Sequence, residues 1–340
     1  MNDIENMNVD LAVEKLLSGD VVAFPTETVY GLGACINNES ALKKIFSVKE
    51  RPFFDPLIVH VASISEARGC FDVWNDLAQS LAEKFWPGPL TIVMKKSNQI
   101  SDLITSGLES VGVRYPNHPV ALQLIRKVGC PIAAPSANKF GKTSPTHAEH
   151  VRKEFENSVY VLDEGSSEIG IESTVLLVKE CALNVYEIAI LRKGAILKSE
   201  LNHFLLTKNF NFSWIEEVSK KESPGHMKHH YMPEIPFVIC RNPKLKLSEL
   251  IQILNNKLSE LPDIVESVKI VKPVKKIEKI EFLNLSKNPY QAARELYSQL
   301  RSASERKPEV LCFIQTSEHN SEMWESVFDR LYKAASLIID

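Results

Sequence analysis

Short apolar runs alternate with longer stretches of helical spacing along the first two-thirds of the chain. VVAF (21–24) reads as a buried strand, PLIVHVAS (56–63) as a second, LTIVMKK as a third and VGVRYP as a fourth, and PIAAPSAN opens with a fifth. YVLDEG and STVLLVK add more. Between them, residues 8–18, 39–48, 74–85 and 120–128 place apolar side chains three and four apart, as a helix with one buried face does. In 39–48 that face carries Leu42, Ile45 and Phe46. Gly31 and Gly33 allow tight backbone paths just after the first strand. Strands alternating with helices predict an α/β domain with a mixed sheet. The alternation fades near Lys198, and the first domain is taken as residues 1–215.

Residues 216–234, EEVSKKESPGHMKHHYMPE, break the pattern: they are polar, hold Pro224, Gly225 and Pro233, and have no apolar period, so they read as a linker. A second domain, 235–340, then opens on the strand-like IPFVI. A helix over 246–261, a short strand SVKIV, a helix over 289–303 with Pro289 near its start, a strand VLCFIQT and a final helix from about 322 to 335 follow. That order predicts a small open, Rossmann-like sheet with helices against it, although no Walker sequence and no GxGxxG is present.

Composition narrows the function classes. With 340 residues, 44% hydrophobic and 24% charged, the chain is an ordinary globular one with room for two domains. A formal net charge of -3 supplies no global positive field for a nucleic acid. The six cysteines are scattered with no CxxC pair, which speaks against a zinc ribbon and for reduced thiols in a cytoplasmic protein. The N-terminus lacks the pattern of a secretory signal, and no stretch is apolar enough to span a membrane.

Chemistry concentrates where strands end. In AFPTETVYGL, Thr26, Glu27, Thr28 and Tyr30 follow a buried strand. They either turn a corner, with Thr26 capping, or face a ligand. In SVKERPFFDPLIVH, Lys49 and Arg51 form a basic turn or a clamp for a polyphosphate, lysine as a point charge and arginine as a fork. His60 is a hydrogen-bonded structural histidine or a director of a polar substrate atom. Arg114, on an apolar strand, needs an anion, either a substrate carboxylate or an internal ion-pair partner. PIAAPSANKFGKTSPTHAEHV offers Ser136, Asn138, Lys142 and Ser144 in a strand–loop–helix connection or a phosphate-holding loop. IGIESTVLL contributes Ser173 and Thr174, and LRKG contributes Arg192. His226, His229 and His230 crowd the linker without an acidic or thiol ligand beside them, so a lid over a pocket is a more economical reading than a metal site.

Taken together, PTETVYGLG, KERPFFDPLIVH, FWPGPLTIV, GVRYPNHP, PSANKFGKTSPT, IGIESTV and SPGHMKHHYMP make the sequence resemble the long, two-domain L-threonylcarbamoyladenylate synthases. The resemblance runs over most of the chain and implies a YrdC-like catalytic domain, an active-site lid at 216–234 and a C-terminal domain particular to the long form. It implies a nucleotidyltransferase that joins L-threonine, bicarbonate and ATP, with Mg2+ accompanying the nucleotide, for modification of transfer-RNA adenosine 37. It implies contact with ATP by Lys49, Arg51, Ser136 and Asn138, joined by Ser144, Arg192 and Tyr231. Thr26, Tyr30, His60, Arg114, Ser173 and Thr174 would surround the threonine. Lys49, Arg51 and Thr26 would act on the reacting groups, and His230 and Tyr231 would close the lid. A downstream transfer-RNA threonylcarbamoyltransferase is the implied partner, with transient RNA contact at most. Phe140 stands where the family has serine, Asp55 where asparagine is common, Glu164 where glycine is common, and Lys193 where proline is frequent. A double-stranded-RNA-binding module, a carbamoyl-transfer protein and a non-enzymatic scaffold are the alternatives. The first conflicts with the net charge, the second lacks its cysteine-rich zinc segments, and the third has no need of Lys49, Arg51, Ser136 and Asn138.

Overall fold

The structure, a computed structural model, describes residues 3–216, 230–257 and 276–340. It divides into two compact units: Met1–Lys139 with Pro145–His226, and Phe140–Ser144 with Met227–Asp340. Most of the segment read as a lid, and the expected strand SVKIV, lie outside the described residues.

The first unit is built on a ten-stranded mixed sheet. Its strands are β1 (Val22–Phe24), β2 (Gly31–Cys35), β3 (Ile58–His60), β4 (Leu90–Lys95), β5 (Ser110–Arg114), β6 (Ile132–Ala134), β7 (Tyr160–Val161), β8 (Thr174–Ala182), β9 (Val185–Arg192) and β10 (Asn211–Trp214). They lie in the order β10-β9-β8-β4-β5-β3-β6-β2-β1-β7. Alternate residues feed opposite faces, as the two-residue period of a strand requires. Val21, Ala23, Leu32 and Ala34 join a core with the helices Glu39–Lys49 and Asp76–Phe85. Val22, Phe24, Ile132 and Ala134 join one with Asp3–Leu17 and Pro119–Val128.

Three differences from the sequence reading have plain causes. Gly31 and Gly33, read as allowing tight backbone paths, lie inside strand β2, which the sequence reading did not expect. A Cβ at Gly33 would come within 2.5 Å of Ile132 and 2.7 Å of Phe24, so glycine is there for close packing. The second expected strand, 56–63, shortens to the three residues of β3 because prolines and a helix cap bracket it. The segment Phe140–Ser144, placed by sequence within the first domain, groups with the second unit.

In that second unit four parallel strands, β11 (Phe237–Cys240), β12 (Ile280–Phe282), β13 (Val310–Ile314) and β14 (Leu337–Ile339), run in the order β12-β13-β11-β14. Helices Leu247–Asn256, Pro289–Arg306 and Glu322–Ala334 accompany them. The Phe140–Ser144 segment is tied in by backbone. Met232 N donates to the Gly141 carbonyl at 2.8 Å, the Lys142 ammonium meets Glu234 at 2.7 Å, and Arg301 donates to the Thr143 carbonyl.

Candidate active site

Lys49 points inward because of where it falls on its helix. The helix begins at the Asn38 cap, whose side chain accepts from Ala41 N, and buries Ala41, Leu42, Ile45, Phe46 and Lys49. Lys49 lies three and four residues after the last apolar pair, so it shares their face. Glu50, in the left-handed region at φ 53°, then stops the helix. The Lys49 ammonium donates to the carbonyl of Ser136 at 2.5 Å and to that of Asn138. Burial, and next the Arg51 guanidinium, hold its pKa well below the ordinary lysine value, with Glu154 and Asp55 pulling the other way. Two residues on, Arg51 turns into its own loop: it meets the Asp55 carboxylate at 2.9 Å and donates to the carbonyls of Asp55 and Pro56. The aspartate that departs from the family's asparagine is therefore the counter-ion of Arg51.

A second knot forms in the loop between β1 and β2. The hydroxyls of Thr26 and Thr28 are 2.9 Å apart, and Thr26 also donates to the Val29 carbonyl at 2.6 Å. Arg114, the last residue of β5, donates to the Thr28 hydroxyl at 2.7 Å, and its Nη2 lies 2.7 Å from Glu27. Arg114 thus forms an internal ion pair with Glu27. His60 lies opposite Arg114 in the β3–β5 register and edge-on to the Phe24 ring. Its Nδ1 is 3.1 Å from the Ile58 carbonyl oxygen. The Tyr30 hydroxyl donates to the Gly165 carbonyl at 2.6 Å, and burial raises its pKa.

The third knot gathers Ser173, Thr174 and Arg192. Arg192 sets its Nε on the Ser173 carbonyl and its Nη2 on the Ser173 hydroxyl, each at 3.0 Å, while Thr91 meets that hydroxyl at 2.7 Å. Thr174 donates to the Ile196 carbonyl at 2.8 Å. Gly194 packs so closely under this loop that a Cβ would come within 2.3 Å of Thr174 N.

Backbone bonds join the knots. Ala137 N donates to the Tyr30 carbonyl and Leu32 N to that of Pro135, coupling the Ser136 loop to the threonine loop. Arg114 reaches the Gly88 carbonyl at 3.4 Å, and Thr174 N donates to Pro89. Within the first unit, therefore, Lys49, Ser136, Asn138, Thr26, Tyr30, His60, Arg114, Ser173, Thr174 and Arg192 form one connected set. Ser144, His230 and Tyr231 belong to the second unit. There Tyr231, at φ 65°, packs against Tyr297 and the wholly buried Arg330. Phe140, the departure from serine, lies edge-on to His230. Sequence reasoning named Glu27 at the strand end without giving it a role, and missed His118. Glu27 sits inside the quoted motif, yet its partner lies 87 positions away, beyond any spacing argument.

His60 carries a pH signature. Burial first, then the Arg114 charge, lower its pKa to about 3. The folded chain refuses a proton that the unfolded chain takes up near pH 6.5, so this contribution falls away as pH drops from 6.5 towards 3. At pH 5 the loss is about 2 kcal/mol. Urea unfolding at pH 7 and pH 5 should show the parent losing that much more than His60→Gln.

No described helix is long and apolar enough to cross a membrane. Among the described residues no group of three or more His, Cys, Asp or Glu could hold a metal ion.

Residues 14–194 match a family model described as telomere recombination, and residues 196–336 match that of the threonylcarbamoyl-AMP synthase C-terminal domain. The threonylcarbamoyl-AMP synthase of Bacillus subtilis is 42% identical, over 71% of this chain and 69% of that protein. That of Schizosaccharomyces pombe is 32% identical, over 94% of this chain and 86% of that protein. Among solved structures, Pyrococcus abyssi Sua5 complexed with L-threonine superposes with a TM-score of 0.77 at 30% identity, covering 98% of this chain and 96% of that one. By both of its domains and by its near-full-length relatives, the chain belongs to the threonylcarbamoyl-AMP synthase family.

Proposed function

We propose that the chain condenses L-threonine, bicarbonate and ATP into L-threonylcarbamoyladenylate and pyrophosphate, in the cytoplasm, for a transferase that modifies transfer-RNA adenosine 37. The observation that carries this reading is the buried Lys49 ammonium seated on the carbonyls of Ser136 and Asn138, in a unit whose neighbouring loops carry the paired hydroxyls of Thr26 and Thr28 and the Ser173 hydroxyl. Family membership and the threonine complex of the Pyrococcus relative support it.

The reaction brings a carboxylate, a carbamate and a triphosphate together. A carbamate oxygen bonds to the α-phosphorus, the bond from that phosphorus to the bridging oxygen breaks, and pyrophosphate leaves with the electron pair. Positive and hydroxyl groups fixed before substrate arrives lower the cost of that charge. Lys49 takes this role, its third N–H remaining after the two carbonyls. Ser136 and Asn138 hold the phosphates, and Arg51, braced by Asp55, shapes the loop beside Lys49. Arg114 takes the threonine carboxylate, which replaces part of its contact with Glu27. Thr26, Tyr30, His60, Ser173 and Thr174 surround the amino acid, and Arg192 fixes Ser173. Neutral His60 adds no charge to the Arg114 side. Asp55 is the counter-ion of Arg51, and the Arg114 guanidinium beside Glu27 disfavours a second cation there. Mg2+ accordingly enters with ATP as part of the substrate. Mass spectrometry of a reaction containing threonine, bicarbonate and Mg–ATP should detect the adenylate; AMP or ADP as the only nucleotide product would refute the reading.

A further inference from the structure

Glu27 is 3% exposed, and neither of its carboxylate oxygens accepts a hydrogen bond. Its ion-pair contact with Arg114 Nη2 at 2.7 Å lies off the hydrogen-bond direction, so that among the described residues Nη2 also lacks an acceptor. His118 Nδ1, beside them, is a fourth buried polar atom without a hydrogen-bond partner among the described residues. Burial keeps His118 towards its neutral form although Glu27 and Glu168 pull the other way. Buried polar atoms are almost always satisfied, and each one left unmade costs about 1–3 kcal/mol. An orphan acceptor and an orphan donor side by side describe what is missing: a ligand with a cationic donor at one end and an anionic acceptor at the other.

We propose that Glu27 receives the α-ammonium of threonine, so that Glu27 and Arg114 together read the two ends of an amino-acid zwitterion. This rests on the proposed seat of the substrate carboxylate at Arg114. Glu27 and Arg114 balance each other, and a zwitterion adds no net charge to the buried pair. A 2-hydroxy acid of the same shape brings the anion alone, leaving Glu27 facing a neutral hydroxyl and the site with a surplus negative charge. Glu27 thereby sets the specificity for an amine and holds the nitrogen that becomes the carbamate.

The test is calorimetric binding of L-threonine and of its 2-hydroxy analogue, 2,3-dihydroxybutanoate, to the full chain and to Glu27→Gln. The parent should prefer threonine. Glu27→Gln should weaken threonine by roughly 10- to 100-fold, the span of a lost charge-assisted hydrogen bond, and should not weaken the analogue, whose surplus negative charge the substitution removes. Should Glu27→Gln not fold, Glu27→Asp, which keeps the charge one methylene back, should show the same selective loss in smaller degree. Equal weakening of both ligands would mean that Glu27 only braces Arg114, and would overturn the proposal while leaving the carboxylate seat standing. If Arg114→Lys binds both ligands as tightly as the parent, the seat itself is wrong and the proposal falls with it.

Discussion

Lys49→Met leaves the chain folded and lowers pyrophosphate release by about two orders of magnitude. The size follows from the loss of one preorganised charge at developing negative charge, about 3 kcal/mol. Methionine keeps the stem that packs with Phe46 and Ile45 on the buried helix face, so stability changes little beside activity. A second readout separates a phosphate contact from a loop brace. The buried ammonium is held below its ordinary pKa, and triphosphate next to it favours the charged form. ATP binding to the parent therefore takes up protons in the pH range where the buried ammonium titrates, and binding to Lys49→Met takes up fewer. Calorimetry in two buffers of different ionisation enthalpy measures the difference. A full-rate Lys49→Met enzyme would remove the core of the mechanism.

Arg114→Ala has the next largest effect, on two quantities at once. It removes the proposed carboxylate seat, so threonine binding weakens by at least about a hundredfold, in line with a lost charge-assisted pair. It also strands Glu27 as a buried charge without its counter-ion, at a cost to stability of about 3–5 kcal/mol. The double variant Arg114→Ala with Glu27→Ala sorts the two effects. It recovers much of the stability, because no charge is left uncompensated, and recovers no threonine binding. Urea unfolding measures the first and calorimetry the second. Recovery of threonine binding in the double variant would show that Arg114 acts only through folding.

Much of this was legible in the sequence, for reasons that differ by residue. Lys49 follows Leu42, Ile45 and Phe46 at helical spacing, so its inward aim was implicit in the apolar period. The strands β4, β5 and β8 announced themselves because continuous apolar runs suit a sheet buried on both faces. Strand β2 did not, because Gly31 and Gly33 are turn signals in isolation and become strand residues only when Phe24 and Ile132 crowd them. The site's hydroxyls and cations were readable from strand-end motifs. Their mutual pairing was not. Arg51 with Asp55 is an i,i+4 pair in a loop whose path no propensity fixes, and Arg114 with Glu27 joins the end of β5 to the loop after β1, with β3, β6 and β2 between those strands in the sheet. Likewise the grouping of Phe140–Ser144 with Met232 and Glu234 rests on backbone pairing between segments some ninety residues apart.

The central claim is that the first unit's loops make one cavity in which a carbamate meets ATP. Pyrophosphate release by the full chain, with threonine and bicarbonate withheld in turn, tests it most directly. Release should require both, and withholding either should return it to background. Release that persists at full rate without threonine or without bicarbonate would contradict the account.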